Sequence, residues 1–528
     1  MRTPVNQVKA TLEPNDHPYR NGAWTPVFEE LDTGDLEVIG NIPDDIDGLY
    51  VRNTENPVHD SLGRYHPFDG DGMIHTIRIK GGKATYRNRF VRTAGFEAEQ
   101  QEGGPLWPGL MTAHGSVKDS SSTDVVVHAG AILSTFYLCG EGYRLDPETL
   151  ATLGPADWVP DHGISAHCKV DEATGELLFF NYAIEKPHLQ YGVVGPDNRL
   201  KHLAAIDLPG PRLPHDMAFT ENFAIFNDCP LFWKEELFER KLRIPAYHPD
   251  MPTRFGILPR MGQPEDIQCF KAKPTYVLHW ANAFEDGDEV VLDGYFQNDP
   301  VPPPLTDFPS GYESMGASLD LHSFRPELHR WRFNRKTGET KEETLFDDCP
   351  VEFGMFNQQY AGRPYRYVYS VTGEPGWFLF NGLTKHDLET GEAEHVSFGE
   401  QRFGSEAPFI PRVNAQSEDD GYLISFITDM KQDRSECIIL DGYPAGPTRA
   451  GPRGNKSKGS CAPHLIRSPG GGNNSVYPEL RIECGAPQSN NSPSLALLTG
   501  GFSPRCFHPR SLSARPRAVR AISPSWIR

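Results

Sequence analysis

The chain is 528 residues long, 11% aromatic, with a formal net charge of −20. It has ample material for a large core and lacks the basic surface that phosphate-backbone binding needs. No run approaches the roughly 20 apolar residues of a membrane span, and the N-terminal MRTPVNQVKATLEPNDHPYRNG has charges and prolines where a signal peptide needs an apolar core, so the reading is of a cytoplasmic protein.

In chain order, short runs rich in Val, Ile, Phe and Tyr predict strands. They are LEVIG, MIHTIRIK, ATYRNRFV, DVVVHAG, ELLFFNY, NFAIFND, TYVLHW, EVVLDGYF, HRWRFN, YRYVYSV, WFLFNG, YLISFIT and ECIIL. Four similar turns lie between them: DPETLATLG from Asp146, DEATGEL from Asp171, NRKTGET from Asn334 and HDLETGEAE from His386. An Asp or Asn opens each by bonding nearby backbone. A hairpin repeated through several hundred residues suits radial repetition, which protects sheet edges, so the expected fold is all-β, a β-propeller. PLFWKEELFERKL (230–242) interrupts this pattern as an amphipathic helix that would pack on the body or dip into a membrane surface. The acidic pairs Asp69/Asp71, Asp286/Asp288 and Asp419/Asp420 read as tight turns between strands.

After Asp441 the composition changes. Residues 442–528 carry a net charge of +10, leaving −30 on the first 441, and contain 12 Pro, 11 Gly and 12 Ser. Such a segment buries too little apolar surface to offset its ordering entropy, so disorder is expected. Nine cysteines without a CxxC pair argue against a zinc ribbon or a disulfide scaffold.

Three histidines stand beside strand-like runs: His167 in SAHCKVD, His215 in LPHDMAFTEN and His279 in HWANAFEDGDEVVLDG. Gaps of 48 and 64 residues are too long for a local metal finger and suit successive modules of one β architecture. Neutral imidazole serves iron, copper and zinc alike, so residue type alone does not name the metal. His75 reads as a structural residue near the site and His162 as loop surface.

Together with FDGDGMIH (68–75) and RFGSEAPFIPR (402–412), these strings closely resemble the carotenoid cleavage oxygenase family, in the family's order, over about residues 35–441. The resemblance implies a seven-bladed propeller at 35–441, preceded by an extension at 1–34 and followed by the tail at 442–528. It implies an axial Fe(2+) with His167, His215 and His279 as three of four ligands, and Glu352 and Glu406 holding ligand rings from behind. Its partners are then O2 and a hydrophobic polyene or aryl-alkene, split into two carbonyl products; peripheral membrane contact through 230–242 rests on the amphipathic spacing alone, as the alternative to packing on the body. At the third glutamate position of many members this chain has Leu138, which predicts one histidine without a carboxylate. Stilbene-cleaving members typically carry a lysine where Tyr137 stands, which favours a carotenoid or apocarotenoid.

The family's fourth ligand sits in a Gly-Phe-His motif about twenty residues after the strand matching SECIILD, and no such motif follows Asp441. His464 stands near the expected separation and His508 further on. A reading-frame shift just after Asp441 would account for the tail, with loss of a ligand and an unpaired sheet edge as consequences. Three readings stand beside the dioxygenase: a polyene isomerohydrolase, a same-fold binding protein without catalysis, and a three-histidine zinc hydrolase.

Overall fold

The computed structural model describes residues 2–13, 17–34, 36–62, 65–110, 117–233, 245–298, 300–301, 319–442 and 480–484. Seven antiparallel sheets of four or more strands follow one another as the blades of a propeller, with a separate two-stranded sheet inserted in the fourth. The first strands of neighbouring blades lie side by side: Gly48–Asn56 on Asp124–His128, that strand on Lys169–Asp171, and Ala218–Phe219 on Trp280–Asp286, itself on Val351–Met355. These strands surround the axis and are buried on both faces, as DVVVH and VEFGM are, whereas outer strands such as Glu392–Ser397 are largely exposed.

Apolar side chains weld adjacent blades. Tyr50, Ile74 and Ile77 of blade one meet Val125 and Ile132 of blade two, and Ile424 and Phe426 of blade seven, in one buried cluster. Between blades four and five, Trp331 packs against Phe255 and Trp280 with ring centroids 5.8 and 5.5 Å away. Each such side chain stabilises the fold by roughly 1.5–3 kcal/mol through burial.

The repeated turns are built as their sequence dictates. Asp146, Asn334 and Asp387 each accept through Oδ1 the backbone N–H three residues on, at 2.7, 2.9 and 3.3 Å. In the three Thr-Gly-Glu turns, Gly175, Gly338 and Gly391 adopt φ of 72, 77 and 70°, the left-handed region where a Cβ is penalised. The preceding threonine hydroxyl then accepts the glutamate N–H at 3.2–3.3 Å.

Four expectations need correction. The run TYVLHW joins no ladder before Trp280, which begins its strand. Leu231–Trp233, taken as the start of a helix, pair as a strand with Pro245–Tyr247; residues 234–242 of that predicted helix lie outside the described residues. Asp69 ends a 3-10 turn and Asp71 is buried at a strand start, 2.7 Å from Lys118 Nζ, whereas Asp286 ends its strand and Asp288 lies in the two-residue hairpin turn that follows.

The fourth concerns the seventh blade. Its strand Arg434–Asp441 is not left unpaired: Leu480–Cys484, from the basic tail, pairs with it on one side and with Glu37–Ile39 on the other. The ring is thus closed by a strand from each end of the chain. Residues 443–479 and 485–528 of the tail, His464 and His508 included, lie outside the described residues. No helix among the described residues is long and apolar enough to cross a membrane.

Candidate metal centre

His167 stands two residues before Lys169–Asp171, His215 three before Ala218–Phe219, and His279 immediately before Trp280–Asp286. These are the first strands of blades three, four and five, so one blade separates each histidine from the next along the chain and the axis brings them together. All three are buried, at 1, 4 and 6% exposure, and one ring nitrogen of each lies within 4.8 Å of the others. The Nε2 atoms of His167 and His215 are 3.0 Å apart, and the ring planes meet at 64–89°.

Burial, then the neighbouring histidines, then Lys169 hold His167 well below the ordinary imidazole range; burial, His279 and Lys169 do the same for His215. Both rings are therefore neutral, the form that ligates metal. On one flank His279 Nδ1 lies 2.7 Å from Glu352 Oε2, and on the other His167 Nδ1 lies 3.2 Å from Asp124 Oδ2. A carboxylate at Nδ1 makes that nitrogen the donor and leaves Nε2 as a bare lone pair. The 3.0 Å between Nε2 of His167 and Nε2 of His215 matches the separation of about 3 Å between two ligands at right angles, each about 2.1 Å from one metal. The donor set fits a divalent metal.

Blades six and seven carry Glu352 and Glu406, and blade one Arg52, all fully buried. Neither Glu406 oxygen has a hydrogen bond among the described residues, and Arg52 Nη2 approaches no closer than 4.0 Å. Burial pushes the Glu406 carboxyl up to about 8, opposed by Arg52 and reinforced by Glu352. Burial also pushes Asp124 well above the carboxylate range, a direction that a cation at the histidines would oppose.

Asp124 is a residue that sequence reading missed. It opens the run DVVVH, where an acid ahead of apolar residues looks like any turn acid, 43 residues before its histidine. Leu138, where a carboxylate was sought, packs against a large buried hydrophobic cluster that includes Phe136, Tyr137 and Phe353. His75 lies outside the histidine group, buried, with Nδ1 2.7 Å from Tyr86 Oη; His162 is on a turn of blade three's entry.

A cavity of about 90 Å³ opens beside His167 and His279, lined by Met217, Phe219, Ala281 and Phe353 among others.

The family described as retinal pigment epithelial membrane protein matches residues 24–444. Carotenoid 9,10(9',10')-cleavage dioxygenase 1 of Phaseolus vulgaris is 34% identical over 472 residues, 80% of this chain and 84% of that protein. Among solved structures, the lignostilbene dioxygenase of Pseudomonas brassicacearum superposes with a TM-score of 0.72 at 27% identity, covering 82% of this chain and 94% of that one. Cobalt-substituted Synechocystis apocarotenoid oxygenase gives 0.68 at 27% identity, covering 78 and 90%.

Proposed function

The chain belongs to the retinal pigment epithelial membrane protein family, that of the carotenoid cleavage oxygenases, and we propose that it is a non-haem iron(II) dioxygenase that cleaves a conjugated carbon–carbon double bond of a carotenoid or apocarotenoid. The observation that carries this reading is the convergence of His167, His215 and His279 as buried imidazoles on the propeller axis. These three would hold the iron, with Glu352 behind His279.

When bound, iron(II) supplies the redox chemistry by which one O2 and one alkene give two carbonyl products. The chain's own residues do the rest. Glu352 accepts the Nδ1 proton of His279 and fixes its ring. Phe353, tilted against the His279 ring at a centroid distance of 4.4 Å, lines the cavity with Met217 and Phe219.

Tyr137 supports the polyene over the phenolic stilbene: it lies in an aromatic packing with Phe136 and Phe68, at 5.0 and 6.2 Å, and offers no cation to a phenol. The similarity to a lignostilbene dioxygenase favours the second reading, an aryl-alkene substrate. Anaerobic loading with iron(II), then O2 with a panel of apocarotenoids and stilbenes, tests both. Aldehyde products from the polyenes are expected, and a folded, metal-loaded protein that gives none from either class would refute the proposal. Turnover without O2 would instead identify an isomerohydrolase.

The domain limits are part of the same proposal: an extension to residue 34, the catalytic propeller at 35–441 and the tail at 442–528, which contributes the closing strand of blade seven.

A further inference from the structure

The three histidines form an arc over blades three to five, and the arc has two flanks. On the far flank, blade six supplies Glu352 to His279. On the near flank, blade two places Asp124 at the first position of its axial strand Asp124–His128, with Oδ2 3.2 Å from His167 Nδ1.

We infer that Asp124 is the positioning residue of His167: it holds Nδ1 as the proton donor and so points the free Nε2 lone pair at the metal. This rests on the metal-centre reading above.

The other contacts of Asp124 leave Oδ2 for this task. Its Oδ1 accepts the N–H of Val125, and its backbone carbonyl accepts from Asn53 Nδ2 at 3.2 Å. Among the described residues, His167 is the hydrogen-bond partner of Oδ2. The side chain is fully buried, and a carboxylate without compensation is costly there. A histidine donor on one side and a cation behind that histidine compensate it. Leu138, on the turn after the strand Ala131–Thr135 of the same blade, is apolar and packed against a buried hydrophobic cluster, so it offers no carboxylate, whereas Asp124 offers one from the blade's axial strand. The contact is longer than the 2.7 Å of the Glu352 pair, which predicts the weaker grip of the two.

The test is cobalt(II) binding to the full chain, followed anaerobically by visible absorption, for the unaltered protein, D124N, D124A and E352Q. D124N keeps the shape and removes the charge. D124A removes both. Loss of a hydrogen-bonded partner behind a ligand costs roughly 10–100-fold in metal affinity. Cobalt binding about tenfold weaker in D124N and weaker again in D124A is expected, with altered ligand-field bands and a loss no larger than that of E352Q. Affinity within twofold of the unaltered protein and an unchanged spectrum in D124N, alongside weakened E352Q, would overturn the inference. So would a D124N variant that is destabilised without metal yet binds cobalt normally, since that marks a purely structural role. Failure of the unaltered protein to bind cobalt at all would fell the metal-centre reading itself, a separate result.

Discussion

Lys169 Nζ and Asp216 Oδ1 stand 2.7 Å apart, and each follows one of the three histidines closely in sequence. The other oxygen of Asp216 accepts the backbone N–H of Trp280 at 3.0 Å, the residue after His279. One carboxylate thus ties together the segments that carry all three histidines, across blades three, four and five.

Removing the brace should cost stability before it costs chemistry. D216A leaves the Trp280 N–H without its acceptor and Lys169 without its partner, and breaking a buried pair from one side destabilises by about 3–5 kcal/mol. Lys169 is 24% exposed, so K169M should cost less. Urea unfolding of the metal-free proteins measures both, and a K169M loss equal to that of D216A would contradict the assignment of Asp216 as the hub.

Alanine at His167, His215 or His279 should each abolish stoichiometric iron after reconstitution, read by elemental analysis. E352Q, which keeps a hydrogen bond to His279 and loses the charge, should retain iron at high concentration with affinity roughly 10–100-fold lower. Equal iron content in all four variants would place the metal elsewhere.

Glu406 gives the metal-free protein a signed pH dependence. Its folded value, about 8, lies above the ordinary 4.5, so between those values the folded state holds a proton that the unfolded chain has released. Stability should therefore be fully present below the lower value and fall as pH rises through the window, by at most about 1.4 kcal/mol per pH unit. E406Q should flatten that slope when unfolding is followed across the same range. A slope unchanged in E406Q would assign it to other groups.

The tail makes a testable division. A chain ending after residue 442 loses Leu480–Cys484 and exposes the edges of both Arg434–Asp441 and Glu37–Ile39, which invites edge-to-edge association. It should melt lower and scatter more light than the full chain, whereas a chain ending after Cys484 should match the full chain in both. Identical behaviour of the two truncations would show that the closing strand contributes nothing.

Much of the fold was legible because strands and turns are local. Asn334 and its Thr-Gly-Glu turn carry their own hydrogen-bond partners within five residues, so the pattern can be read without the rest of the chain. The histidines stood out because each lies beside an apolar run. The helix expected from 230 failed at Leu231–Trp233, since a three-residue ladder with Pro245–Tyr247 competes with local amphipathic spacing. His279 sits at the end of an apolar run that makes no ladder before Trp280.

By itself the sequence determined the strand and turn grammar, the three histidine settings and the break in composition after Asp441. Only the tertiary structure decided which side chains share the axis. Asp124 meets His167 from another blade, Asp216 joins Lys169 to Trp280, and a strand from the tail closes the ring. The physical reason is that a propeller makes neighbours of residues a blade apart, and a buried carboxylate is recognised by the donor it meets, which chain spacing does not encode.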